Sequence, residues 1–477
     1  MILIGKRCLR DHNHQPTCFD LFSGAGGFSL GMEAAGFRSV GFVEIDDVAA
    51  GSCIANLGVK PASFLGSRDG DIEKIRPSEI RIRLEKCGIT DLDLLVASPP
   101  CQGFSRVGRA KLDSLSARPG SFAQDSRNGL YRRAISILKE LQPKFFILEN
   151  VTGVLHLRGR NVAEDICDAL TSSGYNPRCA IVNAAWYGVP QTRERVVVLA
   201  SREDLDITPT FPNIRRRVPL TRGHLSNVTL SPDTWRRPEL FVSTRELGVV
   251  ENLDPAVTVS DAFDDLPHFS DHLEAARTGS RYSARREDFE PAEYSRPPRN
   301  EYCHRMRNWD SSLRSQVVTD HYCRFTPRDF QTFGRMEPGD RYPEAVAIAE
   351  KLYAAAMNNH NGSHGPAPSS RDFIPPYSLK SFPEKWRKLD PALPSWTVTA
   401  HLSRDAYSHI HPDSTQARTI SPREAARLQS FPDAFVFDGN TGDIFRQIGN
   451  AVPPLLAEAL GKGILAQLIG APNRGKG

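Results

Sequence analysis

Cys101 stands in the run Pro99-Pro100-Cys101-Gln102-Gly103-Phe104, directly after an apolar stretch at 92–97 that reads as a buried strand. A rigid diproline before it and a glycine after it put the thiol on a loop at a strand end, where chemistry collects in open α/β sheets. Alone, such a cysteine reads equally as a small buried hydrophobe or as a nucleophile. Glu149 follows another buried run, Phe145–Leu148, and Gln191-Thr192-Arg193-Glu194-Arg195 leads into a third. Alternate arginines there can project from one side of a strand. A thiol, a carboxyl and two guanidiniums around one pocket suit attack on an electron-poor ring. The thiol supplies a soft nucleophile. The carboxyl hydrogen-bonds or protonates a ring nitrogen, and the arginines hold a carbonyl oxygen and stabilise developing charge.

The elements that must position these groups alternate between strand and helix over 17–204. Cys18–Phe22 reads as a strand, Ser23-Gly24-Ala25-Gly26-Gly27 as a glycine loop, and Phe28–Ala35 as a helix stopped by Gly36. Val40–Glu44 is a second strand. Leu130, Ala134, Leu138 and Leu141 fall at helical spacing ahead of Pro143, and Val162, Ile166 and Leu170 mark another helix. This alternation predicts an α/β fold with a doubly wound parallel sheet. The glycine loop lets a ligand approach the backbone at an electropositive helix N-terminus. It is not a full Gly-x-Gly-x-x-Gly, so as a dinucleotide fingerprint it is weak. Glu44, closing the second strand, can bond ribose hydroxyls, and Asp71 in Gly70-Asp71-Ile72 offers a carboxylate for an adenine amino group. Each reads equally as a surface carboxylate, and these residues alone leave a nicotinamide or flavin enzyme open.

The chain of 477 residues has room for two or three domains, and its net charge of +4 is too small by itself to announce nucleic acid. No apolar run approaches a membrane span. Nine cysteines, none in a Cys-x-x-Cys pair, argue against structural zinc and for a reducing, cytoplasmic setting. After about 205 the periodicity fades, and stretches such as Asn358–Pro376 read as loops. Positive charge there is clustered at Arg215-Arg216-Arg217, Arg236-Arg237 and Arg285-Arg286. Regular structure returns near 418. Ser421-Pro422-Arg423-Glu424 has the cap, first-position proline and acidic third residue of a helix start. Leu456, Leu460, Ile464 and Leu468 mark a final amphipathic helix.

Taken together the motifs are specific. DLFSGAGGFSLG (20–31), Glu44, GDI (70–72), SPPCQGFS (98–105), DSRNGL (125–130), ENV (149–151), QTRER (191–195), RTISPREAARLQSFP (418–432) and QIGNAVPP (447–454) run in the order found in cytosine-5 DNA methyltransferases. The chain resembles that S-adenosylmethionine-dependent family at both ends, and the middle is unmatched. The resemblance implies a Rossmann-like methyltransferase sheet, with 1–204 and 418–477 forming the catalytic domain and 205–417 an inserted target-recognition domain. It implies that Cys101 attacks carbon 6 of a cytosine flipped out of double-stranded DNA. Glu149 would contact ring nitrogen 3 and the exocyclic amine, and Arg193 and Arg195 would fix the ring, Arg195 at its carbonyl oxygen. Phe22, Gly24, Gly26, Glu44, Asp71 and Pro100 would line the S-adenosyl-L-methionine site, with Leu130 and Val452 as further contacts. Asn450 would border that site and support the junction between domains. Family members often carry tryptophan after the acidic residue; here Ile45 follows Glu44, which leaves out an aromatic adenine contact. The expected protein is a cytoplasmic, nucleoid-associated bacterial monomer of a restriction-modification or defence system, with double-stranded DNA and a cognate restriction or defence complex as partners and no membrane. Two other readings stay open: a tRNA cytosine-5 methyltransferase, and a DNA-binding protein with a dead catalytic domain. The large insert argues against the first, and the intact Cys101, Glu149, Arg193 and Arg195 against the second.

Overall fold

The computed structural model describes residues 15–57, 64–65, 70–100, 129–156, 160–218, 235–283, 285–360, 366–378 and 385–470. Cys101 and most of the DSRNGL motif lie outside the described residues.

The first half builds a sheet from β1 (Thr17–Leu21), β2 (Arg38–Val43), β3 (Phe64–Leu65), β4 (Leu94–Ala97), β5 (Phe145–Val151), β6 (Tyr175–Asn183) and β8 (Glu194–Arg202). The short β7 (Gln191–Thr192) lies outside it. Helices α1 (Gly27–Ala35), α2 (Asp47–Leu57), α3 (Pro77–Lys86), α4 (Leu130–Leu141) and α5 (Val162–Thr171) connect the strands. Beyond 205 come β9 (Ile214–Arg217) and β10 (Phe241–Val242), and β10 joins the sheet edge beside β6. The eight-stranded order is β10-β6-β8-β5-β4-β1-β2-β3.

Every pairing in this sheet is parallel except those of β8, which runs antiparallel to both β5 and β6. The sequence predicts a uniformly parallel sheet, and connection length explains the difference. Residues 184–193 between β6 and β8 are fewer than the dozen or so that a parallel crossover needs, so the chain must turn back.

Alternation along each buried strand supplies two apolar faces. Phe19, Leu21, Leu95, Phe146, Leu148, Val196 and Val198 face Ile80, Leu84, Leu138, Ile166 and Leu170 of α3, α4 and α5. Cys18, Leu94, Val96, Phe145, Ile147, Val197 and Leu199 face Phe28 and Met32 of α1 and Leu456, Leu460 and Ile464 of the final helix, Pro454–Gly470. Gly31 is where these helices cross: a Cβ there would lie 2.4 Å from both the Ala457 Cβ and the Pro454 carbonyl oxygen. The stretch Thr441–Gly470 does have the length and apolarity of a membrane span, contrary to the sequence reading. It is broken at 451–453; Leu456, Leu460 and Ile464 of its second half are buried against α1 and the sheet, and Ile444, Phe445 and Ile448 of its first half lie in a separate core with Leu402 and Phe431.

Ser421 caps its helix as expected. Its hydroxyl accepts from the Glu424 N–H at 3.1 Å, and the Glu424 carboxylate accepts from the Ser421 N–H at 2.7 Å. The region 205–417 is more regular than its sequence suggests. It holds a 19-residue helix, Tyr342–His360, whose last residues fall where a loop is expected. Only Tyr342, Ala345 and Ala349 of that helix are buried, so no apolar stripe marks it. Phe330, Phe333, Met336, Tyr342, Trp386 and Ile410 form a separate small core in this region.

Candidate active site

The strand order reverses between β1 and β4, so the crevice for ligands opens at the C-terminal ends of these strands. There the Ser98 N–H donates to the Leu21 carbonyl at 3.2 Å, joining the ends of the two strands. Phe22 has φ 63°, a left-handed conformation that turns the chain sharply out of β1. Asn150, buried at the end of β5, donates from Nδ2 to the Pro99 carbonyl at 3.2 Å. Asn150 is part of the ENV motif, but its role as the pin of the diproline turn is not visible in sequence. Pro100 is exposed at this edge, one residue before Cys101.

Glu149 and Arg195 meet at the same edge. Glu149 pairs with Val197 and Val151 with Arg195, so Glu149 and Arg195 are diagonal neighbours on one face of the antiparallel pair. The Arg195 Nε lies 2.9 Å from a Glu149 carboxylate oxygen, with both side chains nearly buried. A second Arg195 nitrogen donates to the Glu194 carbonyl at 2.7 Å.

Arg193 does not join them. Its guanidinium is buried and donates to the carbonyls of Val398 at 2.8 Å, Gly449 at 3.2 Å and Ala451 at 3.1 Å. The two arginines were expected to project together from one strand. The strand breaks at Arg193, because β7 pairs in parallel with Ser395–Trp396 instead of entering the main sheet.

On the donor side, Glu44 holds the glycine loop. One carboxylate oxygen accepts from the Gly24 N–H at 2.8 Å and the other from the Asp46 N–H at 2.8 Å. Burial pushes its pKa up. Gly24 has φ +54°, and nothing lies within 4 Å of where its Cβ would be, so the backbone is open to a ligand. The other glycines serve packing. A Cβ at Gly26 would lie 2.9 Å from Cys53 Sγ, and one at Gly27 would lie 2.5 Å from the Val452 carbonyl oxygen. Val452 is buried behind α1, while Asn450 is exposed at the end of the helix Thr441–Asn450. Asp71 bonds the Glu73 N–H at 3.1 Å and pairs with Lys74, which lowers its pKa. Arg133 of α4 anchors that turn by donating to the Ile72 and Ile75 carbonyls, and Leu130 opens the same helix.

Asp20 was not singled out from sequence. It is buried at the end of β1, and one oxygen accepts from the Ser29 hydroxyl at 2.7 Å. Its other oxygen is buried and has no hydrogen-bond partner among the described residues. Burial, with Glu44 nearby, pushes its pKa up to about 7 against the Ser29 bond. Two neighbouring carboxyl groups, Asp20 and Glu44, with Glu44 bonded to an open glycine turn, fit a site built for a polar, cationic donor molecule such as S-adenosylmethionine.

The family model for C-5 cytosine-specific DNA methylases matches residues 17–466. The chain belongs to that family. It is a DNA cytosine-5 methyltransferase whose methyl donor is S-adenosylmethionine. Its similarity to "Putative type II methyltransferase M.OihORF3336P" of Oceanobacillus iheyensis is 35% identity, covering 95% of this chain and 96% of that protein. With type II methyltransferase M.AgeI of Thalassovita gelatinovora it shares 30% identity, covering 93% and 98%. Among solved structures, a "putative DNA modification methyltransferase" encoded within an E. coli prophage has the same fold. Its TM-score is 0.61 at 22% identity, covering 95% of this chain and 99% of that one. These matches favour DNA over the RNA reading. In this methylase the 99–100 turn, the Glu149–Arg195 pair and the Gly24 loop lie along one edge of the sheet, on the neighbouring strands β8, β5, β4 and β1.

Proposed function

We propose that this methylase transfers a methyl group to carbon 5 of a cytosine flipped out of a specific duplex site, through a covalent bond from Cys101. The observation that carries this reading is the buried Glu149–Arg195 pair beside the turn that leads into Cys101. The base cannot be reached inside the stack, so flipping costs a few kcal/mol. Glu149 holds ring nitrogen 3 and the amine, and Arg195 holds the ring carbonyl oxygen. The Cys101 thiolate adds to carbon 6, and the electron pair displaced onto the ring takes a proton at nitrogen 3 from the Glu149 carboxyl. When bound, S-adenosylmethionine supplies the electrophilic methyl that carbon 5 takes up. Solvent water then takes the carbon-5 proton, the freed pair re-forms the ring double bond and expels the Cys101 thiolate, and nitrogen 3 returns its proton to Glu149. Arg193 takes a positioning role, holding the insert against the end of the helix Thr441–Asn450. Phe22, Gly24, Glu44, Asp71, Pro100, Leu130, Asn450 and Val452 border the donor, with Gly26 supporting the loop from behind.

Sequence reading is assigned to the region 205–417. The arginine clusters divide there. Arg236 and Arg237 are engaged by Glu164, Asp165 and Asp168 of α5 and by Glu239, and Arg286 by Asp320 and two carbonyls. Arg215, Arg217 and Arg285 are exposed and are the better candidates for DNA phosphates. By analogy with its relatives, the enzyme protects cytoplasmic DNA in a type II modification system. Base-resolution cytosine-methylation sequencing of DNA from cells expressing the chain tests this: one motif carrying 5-methylcytosine supports it, and unmodified DNA with active enzyme on tRNA contradicts it.

A further inference from the structure

Asp20 and Glu44 end neighbouring strands of the sheet. Asp20 stands opposite Phe42 of β2 and Val96 of β4, and Glu44 is two residues beyond Phe42, so the two carboxyls lie on one face as diagonal neighbours. They are held differently. Glu44 accepts a backbone N–H on each oxygen, from Gly24 and from Asp46, both at 2.8 Å, and two such donors favour its charged form. Asp20 has the Ser29 hydroxyl on one oxygen at 2.7 Å. Its second oxygen meets no donor among the described residues, and the residue is 1% exposed. Leaving a buried carboxylate oxygen without a donor is costly, so a proton shared by this pair rests on Asp20.

The elements packed around Asp20 answer it with no positive charge. Phe42 and Val96 flank it in the sheet. Among the described residues, the titratable groups gathered with it are Glu44, Glu33 of α1, Cys18 of β1 and Cys53 of α2, with Asp46 beyond Glu44. All are carboxyls or thiols, and burial raises both thiols well above their usual range, so these stay neutral. Burial, with Glu44 beside it, pushes the Asp20 pKa up to about 7 against the Ser29 bond.

The methyl donor brings the positive charge that this site lacks. S-adenosylmethionine carries a sulfonium, and S-adenosylhomocysteine, left after methyl transfer, has an uncharged thioether in its place. A cation favours the ionised form of a neighbouring carboxyl, and a ligand of the same shape without that charge does not. Loss of the Asp20 proton and binding of the sulfonium therefore strengthen each other by the same factor.

We propose that Asp20 is the residue by which this methylase tells its methyl donor from the spent product: it carries a proton in the empty site, releases it to solvent when S-adenosylmethionine binds, and keeps it when S-adenosylhomocysteine binds. Once the methyl has been transferred the sulfonium charge is gone, Asp20 takes a proton back from solvent, and the product is held less tightly than the donor was. This rests on the reading of Gly24 and Glu44 as the donor site.

Calorimetric titration at pH 6.5, in two buffers of different ionisation heat, counts the protons released on binding. Wild type should release most of one proton with S-adenosylmethionine and close to none with S-adenosylhomocysteine. Between pH 6 and pH 7.5 its affinity for S-adenosylmethionine should rise about five- to tenfold, as the ionised fraction of a group titrating near 7 does, while that for S-adenosylhomocysteine stays within about twofold. Asp20→Asn keeps the shape and an acceptor for Ser29 in a neutral side chain. It should release no proton, lose this pH dependence and bind the two ligands with affinities closer together, that for S-adenosylhomocysteine being unchanged. If this variant does not fold, the wild-type proton counts for the two ligands carry the comparison. Equal counts for the two ligands, or an Asp20→Asn variant that keeps the wild-type count or pH dependence, would overturn the proposal. Glu44→Ala separates the two levels. Weaker binding of both ligands supports the donor-site reading, and full affinity for both would overturn that reading and this proposal with it.

Discussion

Glu149 and Arg195 are poised by a strand register, whereas Arg193 is spent on three carbonyls, so the two arginines of one motif should respond differently to removal. Arg195→Ala should slow methyl transfer, and its cost in stability, which comes from leaving the buried Glu149 carboxylate without its partner, should largely vanish when Glu149→Gln is added. Arg193→Ala should cost about 3 kcal/mol of stability, because charge-assisted bonds to three buried carbonyls are lost. A stability loss in Arg193→Ala that Glu149→Gln also relieves would contradict this division. Glu149→Gln keeps the shape but cannot take or give a proton as readily. Its single-turnover rate should drop by roughly 10²–10⁴, the usual worth of acid–base assistance. A near-normal rate would make the carboxyl structural.

At the scale of elements, the glycine loop divides its labour. Gly24 faces open space, while Gly27 is pressed to the Val452 carbonyl, where α1 meets the C-terminal segment. Gly27→Ala must push that carbonyl away and should destabilise the fold by about 1–3 kcal/mol, the cost of overpacking. Thermal melts of that variant check this, and an unchanged midpoint would contradict the packing role. The sequence carried the buried strands Phe145–Leu148 and 196–200 clearly, because long apolar runs between turns have few other readings. The Ser421 capping box was equally legible. What was not legible depended on partners remote in sequence. The reversal of β8, the capture of Gln191–Thr192 by Ser395–Trp396 and the burial of Arg193 follow from pairings between distant segments. Helix Tyr342–His360 escaped notice because an alanine-rich helix that buries so few side chains leaves no periodic signal. Asp20 was overlooked because nothing in sequence tells a buried strand-end carboxylate from an exposed one.

For the whole molecule, the region 205–417 carries an acid-sensitive core. Burial holds His272 and His321 down at about 4, and His409 and His411 at about 3. The unfolded chain binds protons on these rings near pH 6.5, while the folded one stays neutral. Their contribution to stability is therefore present above pH 6.5 and lost as pH falls toward 4, by up to about 1.4 kcal/mol per pH unit for each ring. Asp20 opposes this trend as a single group, since its pKa is raised. Urea midpoints should thus fall markedly between pH 7 and pH 5, with fluorescence of the buried Trp386 reporting the loss. A flat profile over that range would show that the rings are solvated.

Across these scales the central claim is one covalent bond, from Cys101 to carbon 6 of an extruded cytosine. A duplex with 5-fluorocytosine at the target position tests it most directly. Fluorine at carbon 5 cannot leave as a proton does, so elimination of the cysteine is blocked once the methyl has been transferred. In the presence of S-adenosylmethionine the enzyme should form a denaturation-resistant complex with that duplex. Peptide mass mapping should place the adduct on the Cys101 peptide, and Cys101→Ser should abolish it. An adduct on another cysteine, or none while the unmodified duplex is turned over normally, would contradict the account.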